Sequence, residues 1–185
     1  VTFFAVAASL GPTNFQAPAT FTFPATFSGQ VTQSSPTVYS SPIVRTLYLG
    51  AVTGQPANES AFNRTVGFIN GSTPGDTANI EFPITIPNAA TIAGIIVYAN
   101  DNSAASNYSI SFQRAFLNTG AVFNIASSSP VANSPSVLTL PLTFPAINVD
   151  PLNVYSVRII YTVPADPTQM RILGVAVTYT INAAD

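Results

Sequence analysis

The chain has 185 residues, of which five are basic and seven acidic, for a net charge of −2, and it contains no His, Cys or Trp. All five basic residues are Arg, scattered singly at 45, 64, 114, 158 and 171, which argues against nucleic-acid or anionic-membrane binding, since phosphate neutralisation needs clustered cations. Without His, Cys or Lys there is no base for a Ser nucleophile, no Schiff-base amine and no usual zinc ligand, so hydrolytic triads are excluded. Carboxylate pairs among Glu59, Asp76, Glu81, Asp101, Asp150, Asp166 and Asp185 stay open but none is singled out, and no enzyme activity, metal or cofactor is expected.

The length fits one domain able to bury about 70% of its unfolded surface. Its polarity comes from 21 Thr, 18 Ser and 15 Asn. Charged residues make up 6% of the chain, against about 25% in ordinary soluble domains, which fits an exported, extracellular or cell-surface protein. A chain starting at Val1 rather than Met is what leader removal before Val1 would leave.

The first segment, Val1, Thr2, Phe3, Phe4, Ala5, Val6, Ala7, Ala8, Ser9 and Leu10, is apolar on both faces and ends at Gly11-Pro12. It is shorter than the ~20 residues that span a bilayer. It reads either as a first strand within its own subunit or as a donor strand that completes the sheet of a neighbouring copy. Residues 1–19 are therefore expected as an arm and linker, and residues 20–185 as a single domain.

Period-two alternation follows, segment after segment, which is the all-β pattern. Phe21, Phe23, Ala25 and Phe27 alternate with Thr20, Thr22, Pro24 and Thr26. Strands are then expected at Val44 to Val52 and Thr65 to Ile69. In the next, Ala78, Ile80, Phe82, Ile84 and Ile86 alternate with Thr77, Asn79, Glu81, Pro83 and Thr85. Further strands are read at Thr91 to Ala99, Tyr108 to Leu117 and Ala121 to Ile125. Beyond these, Leu138, Leu140, Leu142 and Phe144 alternate with Thr139, Pro141 and Thr143. The last two strands are long: one face carries Tyr155, Val157, Ile159, Tyr161 and Val163, the other Leu173, Val175, Val177, Tyr179 and Ile181, and both read as central core strands. About 11 strands without helices predict a two-sheet antiparallel β-sandwich, of jelly-roll or immunoglobulin-like type, with an N-terminal strand available for donation.

Three of these segments, FTFPATF, IEFPITI and LTLPLTF, share a central Pro on the polar side, at positions 24, 83 and 141. They are either an internal repeat or a convergence within a Thr- and Pro-rich β protein. Since Pro donates nothing to a ladder, each should lie at a sheet edge or at a bulge.

The oxygen-rich run Asn100-Asp101-Asn102-Ser103 reads as an Asx turn closing a strand in preference to a Ca²⁺ loop. Four Asn-x-Ser/Thr acceptor patterns, at Asn58, Asn63, Asn70 and Asn107, are no excess for this composition, but three fall within 13 residues in expected loop or strand-end positions. Each is a candidate for an N-linked glycan.

Ile86-Pro87-Asn88-Ala89-Ala90-Thr91-Ile92, Val97-Tyr98, Asp101-Asn102-Ser103, Val149-Asp150, Val154-Tyr155, Arg171-Ile172-Leu173-Gly174-Val175 and Val177-Thr178-Tyr179-Thr180 resemble a family of exported β-sandwich proteins of secreted and virion-surface type. The resemblance covers residues 80–181, implies fold and export, carries over no catalytic residue, and has Gly where this chain has Ala89. In architecture, the apolar arm, the Thr/Asn/Ser surface and the acceptor cluster resemble archaeal extracellular filament subunits of the thread and bundling-pilus kind. That likeness implies that Val1 to Leu10 is a donor strand entering a groove of the next subunit. The expected function is thus a non-enzymatic structural subunit of an extracellular filament, a homopolymer of identical subunits. A viral capsid or decoration jelly roll is the alternative, and a glycan-binding or adhesin module the second.

Overall fold

A computed structural model describes residues 2–3, 20–21, 38–58, 61–104, 107–129 and 134–183. The chain forms two compact units, Val1–Pro36 and Thr37–Asp185. In the first, β1 (Thr2–Phe3) pairs in parallel with β2 (Thr20–Phe21). The remainder of Val1 to Leu10 and of the FTFPATF segment lies outside the described residues.

The second unit consists of β3 (Val38–Gly50), β4 (Gln55–Pro56), β5 (Phe62–Arg64), β6 (Ile69–Gly71), β7 (Thr77–Ile84), β8 (Thr91–Asp101), β9 (Ser109–Phe116), β10 (Val122–Ser128), β11 (Ser134–Leu142), β12 (Ile147–Asn148), β13 (Asn153–Thr162) and β14 (Met170–Ala183), with two short 3-10 turns. No α-helix occurs among the described residues. Two antiparallel sheets form a β-sandwich, the smaller ordered β10-β9-β13-β7-β4. In the larger, β8 and β14 are central, β11 and β12 pair with the outer side of β8, and β3 and β6 with the outer side of β14.

Without the shortest strands, the orders are β3-β14-β8-β11 and β7-β13-β9-β10. The pairs β3–β14, β7–β13, β8–β11 and β9–β10 are nested along the chain, and every connection except the β9–β10 hairpin crosses between sheets. This is the strand order of a jelly roll, two Greek keys wound together.

The core lies between the sheets because alternation sends every second residue inward. Ile80, Phe82, Ile110, Phe112, Val157 and Ile159 from the smaller sheet meet Ile92, Ile95, Val97, Ile172, Val175 and Val177 from the larger, all buried. Full burial of each such side chain contributes about 1.5–3 kcal/mol. The ring of Phe112 lies 5.0 Å from that of Phe144 and 6.1 Å from that of Tyr155.

The proline-bearing strands lie at edges, as expected. β11 is the outermost strand beside β8, and Pro141 is exposed on it. β4 pairs with β7 only at Ile80 and Glu81, so β7 is an edge where Pro83 stands.

Three expectations are corrected in detail. Thr65 to Ile69 is not one strand: the Thr65 hydroxyl oxygen accepts hydrogen bonds from the N–H groups of Gly67 (3.2 Å) and Phe68 (3.1 Å), folding a turn between β5 and β6. The first long strand runs from Val38 to Gly50, and Val52 sits in a 3-10 turn beyond it. Leu173 leaves the predicted core face, because the register with β8 passes from Ile172↔Ala99 to Gly174↔Tyr98 and leaves Leu173 as the extra residue of a bulge. Met170 and Ile172 fill the core before that point.

Candidate binding edge and face

No group of three or more acidic, His or Cys residues that could hold a metal occurs among the described residues. Asp101, the last residue of β8, turns into the core and is fully buried. Its Oδ1 accepts the Ser103 N–H at 3.1 Å, the expected Asx turn, while its Oδ2 is buried without a hydrogen bond. Burial pushes this carboxyl above its ordinary range, partly opposed by the Ser103 N–H.

Beside it, the Tyr108 hydroxyl donates to the Asn100 carbonyl at 2.6 Å, and the Tyr108 and Tyr161 rings meet edge to face at 5.3 Å. The Tyr161 hydroxyl accepts the Gly71 N–H at 2.8 Å. Burial raises both phenols, Tyr161 to about 12, so neither ionises near neutral pH. The cluster thus holds two phenols that stay protonated and a carboxyl whose ionisation burial disfavours.

The open features lie on the larger sheet. Along residues 43–50, β3 pairs with β14 in unbroken register, from Ile181↔Ile43 to Gly174↔Gly50, and among the described residues it has no partner on its other side. Ile43, Leu47 and Leu49 point toward the core but are only half-buried at this edge. The other edges are interrupted, by Pro83 in β7, Pro141 in β11 and the shift between Asn124 and Ala126 in β10. Residues 43–50 contain no Pro and a single charge, Arg45. A strand edge of this kind is a template for pairing with another chain.

The outer face of the same sheet carries two tyrosines. One cross-strand row reads Gly50, Gly174, Tyr98, Thr139 and the next Tyr48, Ala176, Ile96, Pro141. Because Gly50 and Gly174 have no side chain, the first row leaves a depression of about 290 Å³, also lined by Tyr48, Leu49, Tyr98, Val137, Leu173 and Val175. Gly174 cannot be replaced freely: a Cβ there would lie 2.6 Å from the Leu49 carbonyl oxygen. Tyr48 is 73% exposed.

The four acceptor asparagines fall in different environments. Asn63, on β5, and Asn107, just before β9, are exposed. Asn58 is half-buried, its Nδ2 donating to the Thr77 carbonyl at 2.6 Å. Asn70 corrects the expectation of a loop acceptor: it is 1% exposed and its Nδ2 donates to the carbonyls of Gly71 (2.9 Å) and Pro167 (2.8 Å). A glycan at Asn70 has no room in the folded domain.

The donor call on Val1 to Leu10 lies outside the described residues apart from Thr2 and Phe3, and sequence reading did not find the open edge of β3 or the tyrosine face. Both depend on which strands become neighbours, and alternation within one strand does not encode that.

No protein-family model matches the chain, and no curated protein matches it. Solved structures resemble it at low identity and low TM-score. A xylan-binding module, CBM15, is 12% identical over 78% of this chain and 100% of its own, with a TM-score of 0.46. The Podospora anserina GH26-CBM35 β-(1,4)-mannanase is 11% identical over 80% of this chain and 28% of its own, with a TM-score of 0.39. The infectious bursal disease virus Gx strain structure is 11% identical over 86% of this chain and 37% of its own, with a TM-score of 0.38.

Proposed function

We propose that the chain is a non-enzymatic structural subunit of an extracellular filament, in which Val1 to Leu10 of one copy adds as a strand to the open edge of β3 in the next. The observation that carries this is the unbroken edge at residues 43–50. Half of its backbone groups point away from β14, about four N–H and about four C=O, and an added strand satisfies them. It would also cover Ile43, Leu47 and Leu49, which the fold leaves half-buried. A segment apolar on both faces supplies that cover, and a head-to-tail contact of this kind does not close on itself, so copies form a filament.

Negative-stain microscopy and size-exclusion chromatography of the chain with and without residues 1–11 test the proposal. Filaments that disappear on deletion, and return when a peptide of residues 1–11 is added in trans, support strand donation. Assembly that persists unchanged without residues 1–11 overturns it.

The jelly-roll strand order supports a second reading, a viral capsid or decoration protein, because that order recurs in viral shells. Closed particles containing nucleic acid would favour it. In either setting Asn63 and Asn107 are the acceptors that a surface glycan fits, and glycopeptide mass spectrometry of natively produced protein checks them.

A further inference from the structure

We infer that the depression between Tyr48 and Tyr98 on the outer face of the larger sheet is a binding site for a neutral glycan chain. The inference is independent of strand donation, which uses the edge of β3 and not this face. Four features carry it.

The first is shape: the bare Gly50–Gly174 row is a floor between two tyrosines that stand on β3 and β8, two strands apart and one outward row out of step. A pyranose ring laid over that floor meets one tyrosine on each side. The second is size: about 290 Å³ falls just below the range of about 300–1,000 Å³ for small-molecule sites, which fits a sugar or two of a chain running across the sheet.

The third is chemistry. The two rows offer apolar surface from Ile96 and Pro141 and hydroxyls from Tyr48, Tyr98 and Thr139. A sugar ring presents the same combination, C–H groups on its faces and hydroxyls around its rim. The fourth is charge: none of the residues in these rows or lining the depression is ionic at neutral pH. A nucleic acid or acidic polymer would find no cation there, and a charged peptide no counter-ion.

The fold gives a reason for the bulge that builds the floor. Leu173 is the inserted residue, and Gly174 packs against the Leu49 carbonyl with no room for a Cβ. Bulges re-aim side chains at sites, and here the bulge puts Leu173 at the rim of the depression.

The test uses the full chain. Tyrosine fluorescence, unobscured because the chain has no Trp, and heteronuclear NMR follow titration with cello-, xylo-, manno- and maltohexaose up to millimolar concentrations. Binding by at least one hexaose is expected, with shifts centred on Tyr48, Gly50, Tyr98 and Gly174. Tyr48→Ala and Tyr98→Ala should each weaken it about tenfold, equivalent to about 1.4 kcal/mol. Tyr48→Phe, which keeps the ring, should stay within about threefold of the unaltered chain, a difference of under about 1 kcal/mol. Tyr48 is exposed, so its replacement leaves the core intact. Absence of binding by all four sugars, or binding that survives both Ala changes, overturns the inference. So does a result in which Tyr48→Ala alters only concentration-dependent self-association, for then a second copy occupies the face.

Discussion

Ala89 is the one non-glycine residue with positive φ among the described residues, at +63°. It is the third residue of the turn closed by the Ala90 N–H on the Pro87 carbonyl, 3.2 Å away, and only that position of the turn has positive φ. That is a type II turn, which favours Gly there. An alanine in the left-handed region costs about 1–2 kcal/mol, and a glycine loses about 0.5–1 kcal/mol more conformational entropy on folding. Ala89 is exposed, so no packing is lost with its methyl. Ala89→Gly should therefore stabilise the domain by up to about 1.5 kcal/mol, which at about 2–4 °C per kcal/mol for this size raises Tm by up to about 6 °C. Gly120 provides the mirror experiment: its φ is +67°, and an added Cβ would meet nothing within 4 Å. Gly120→Ala should lower stability by a similar amount. The assay is urea unfolding followed by circular dichroism, requiring an unchanged m-value so that the difference belongs to the folded turn. A destabilised Ala89→Gly, or a Gly120→Ala that is neutral, would refute the reasoning from φ.

At Gly174, alanine should cost at least about 2 kcal/mol, because backbone and not a flexible side chain meets the new methyl; a change in Tm below one degree would contradict this. Asn70→Ala removes two hydrogen bonds to buried or half-buried carbonyls and should destabilise by about 1–3 kcal/mol, while leaving the glycan mass of the protein unchanged. For Asp101 the folded pKa lies above its ordinary 3.8, so its contribution to stability is fully present below 3.8 and is lost as pH rises through the raised value. Asp166 runs the other way: the Thr168 hydroxyl and N–H hold its carboxyl low, so its contribution is present above 3.8 and lost on acidification through the lowered value. With no His, and few carboxylates to titrate, Tm should vary weakly between neutral pH and pH 3. Asp101→Asn should remove the part that rises on acidification, and a wild-type Tm that falls steeply toward pH 3 would disprove the balance.

How far the sequence could be read depended on whether a feature is local. The alternation of residues 77–84 and 153–163 is carried by single strands, and Ala78, Ile80, Phe82, Tyr155, Val157 and Ile159 are buried as the pattern requires. Pro83 and Pro141 announced edges because a missing N–H is a property of one residue. The failures are non-local. Leu173 left the core face at a bulge beside Gly174, where the Leu49 carbonyl, on a strand more than 120 positions earlier, leaves no room for a Cβ. Asn70 fits an acceptor pattern, yet its amide is claimed by Pro167, 97 residues later. Tyr48 and Tyr98 are unremarkable alternating residues until β14 brings Gly174 between them.

The strand order also bears on the question of repetition. Exchanging β3 with β10, β7 with β11, β8 with β13 and β9 with β14 converts the order of one sheet into that of the other. It also maps the first four of these strands, in chain order, onto the last four. The segments IEFPITI and LTLPLTF fall on β7 and β11, which this exchange relates, and each brings its Pro to an unpaired edge. Topology thus supplies a physical reason for the match that does not depend on common descent: equivalent edge positions in a chain without Lys need the same protection, and Pro supplies it by removing a donor. β3 and β10 are the remaining related pair of edges. β10 is broken by its register shift, whereas residues 43–50 of β3 carry neither Pro nor bulge. In β3 the Pro and the shift lie at one end, at Pro42 and between Ile43 and Val38, which leaves residues 43–50 as the open stretch that the proposed function assigns to a neighbouring copy.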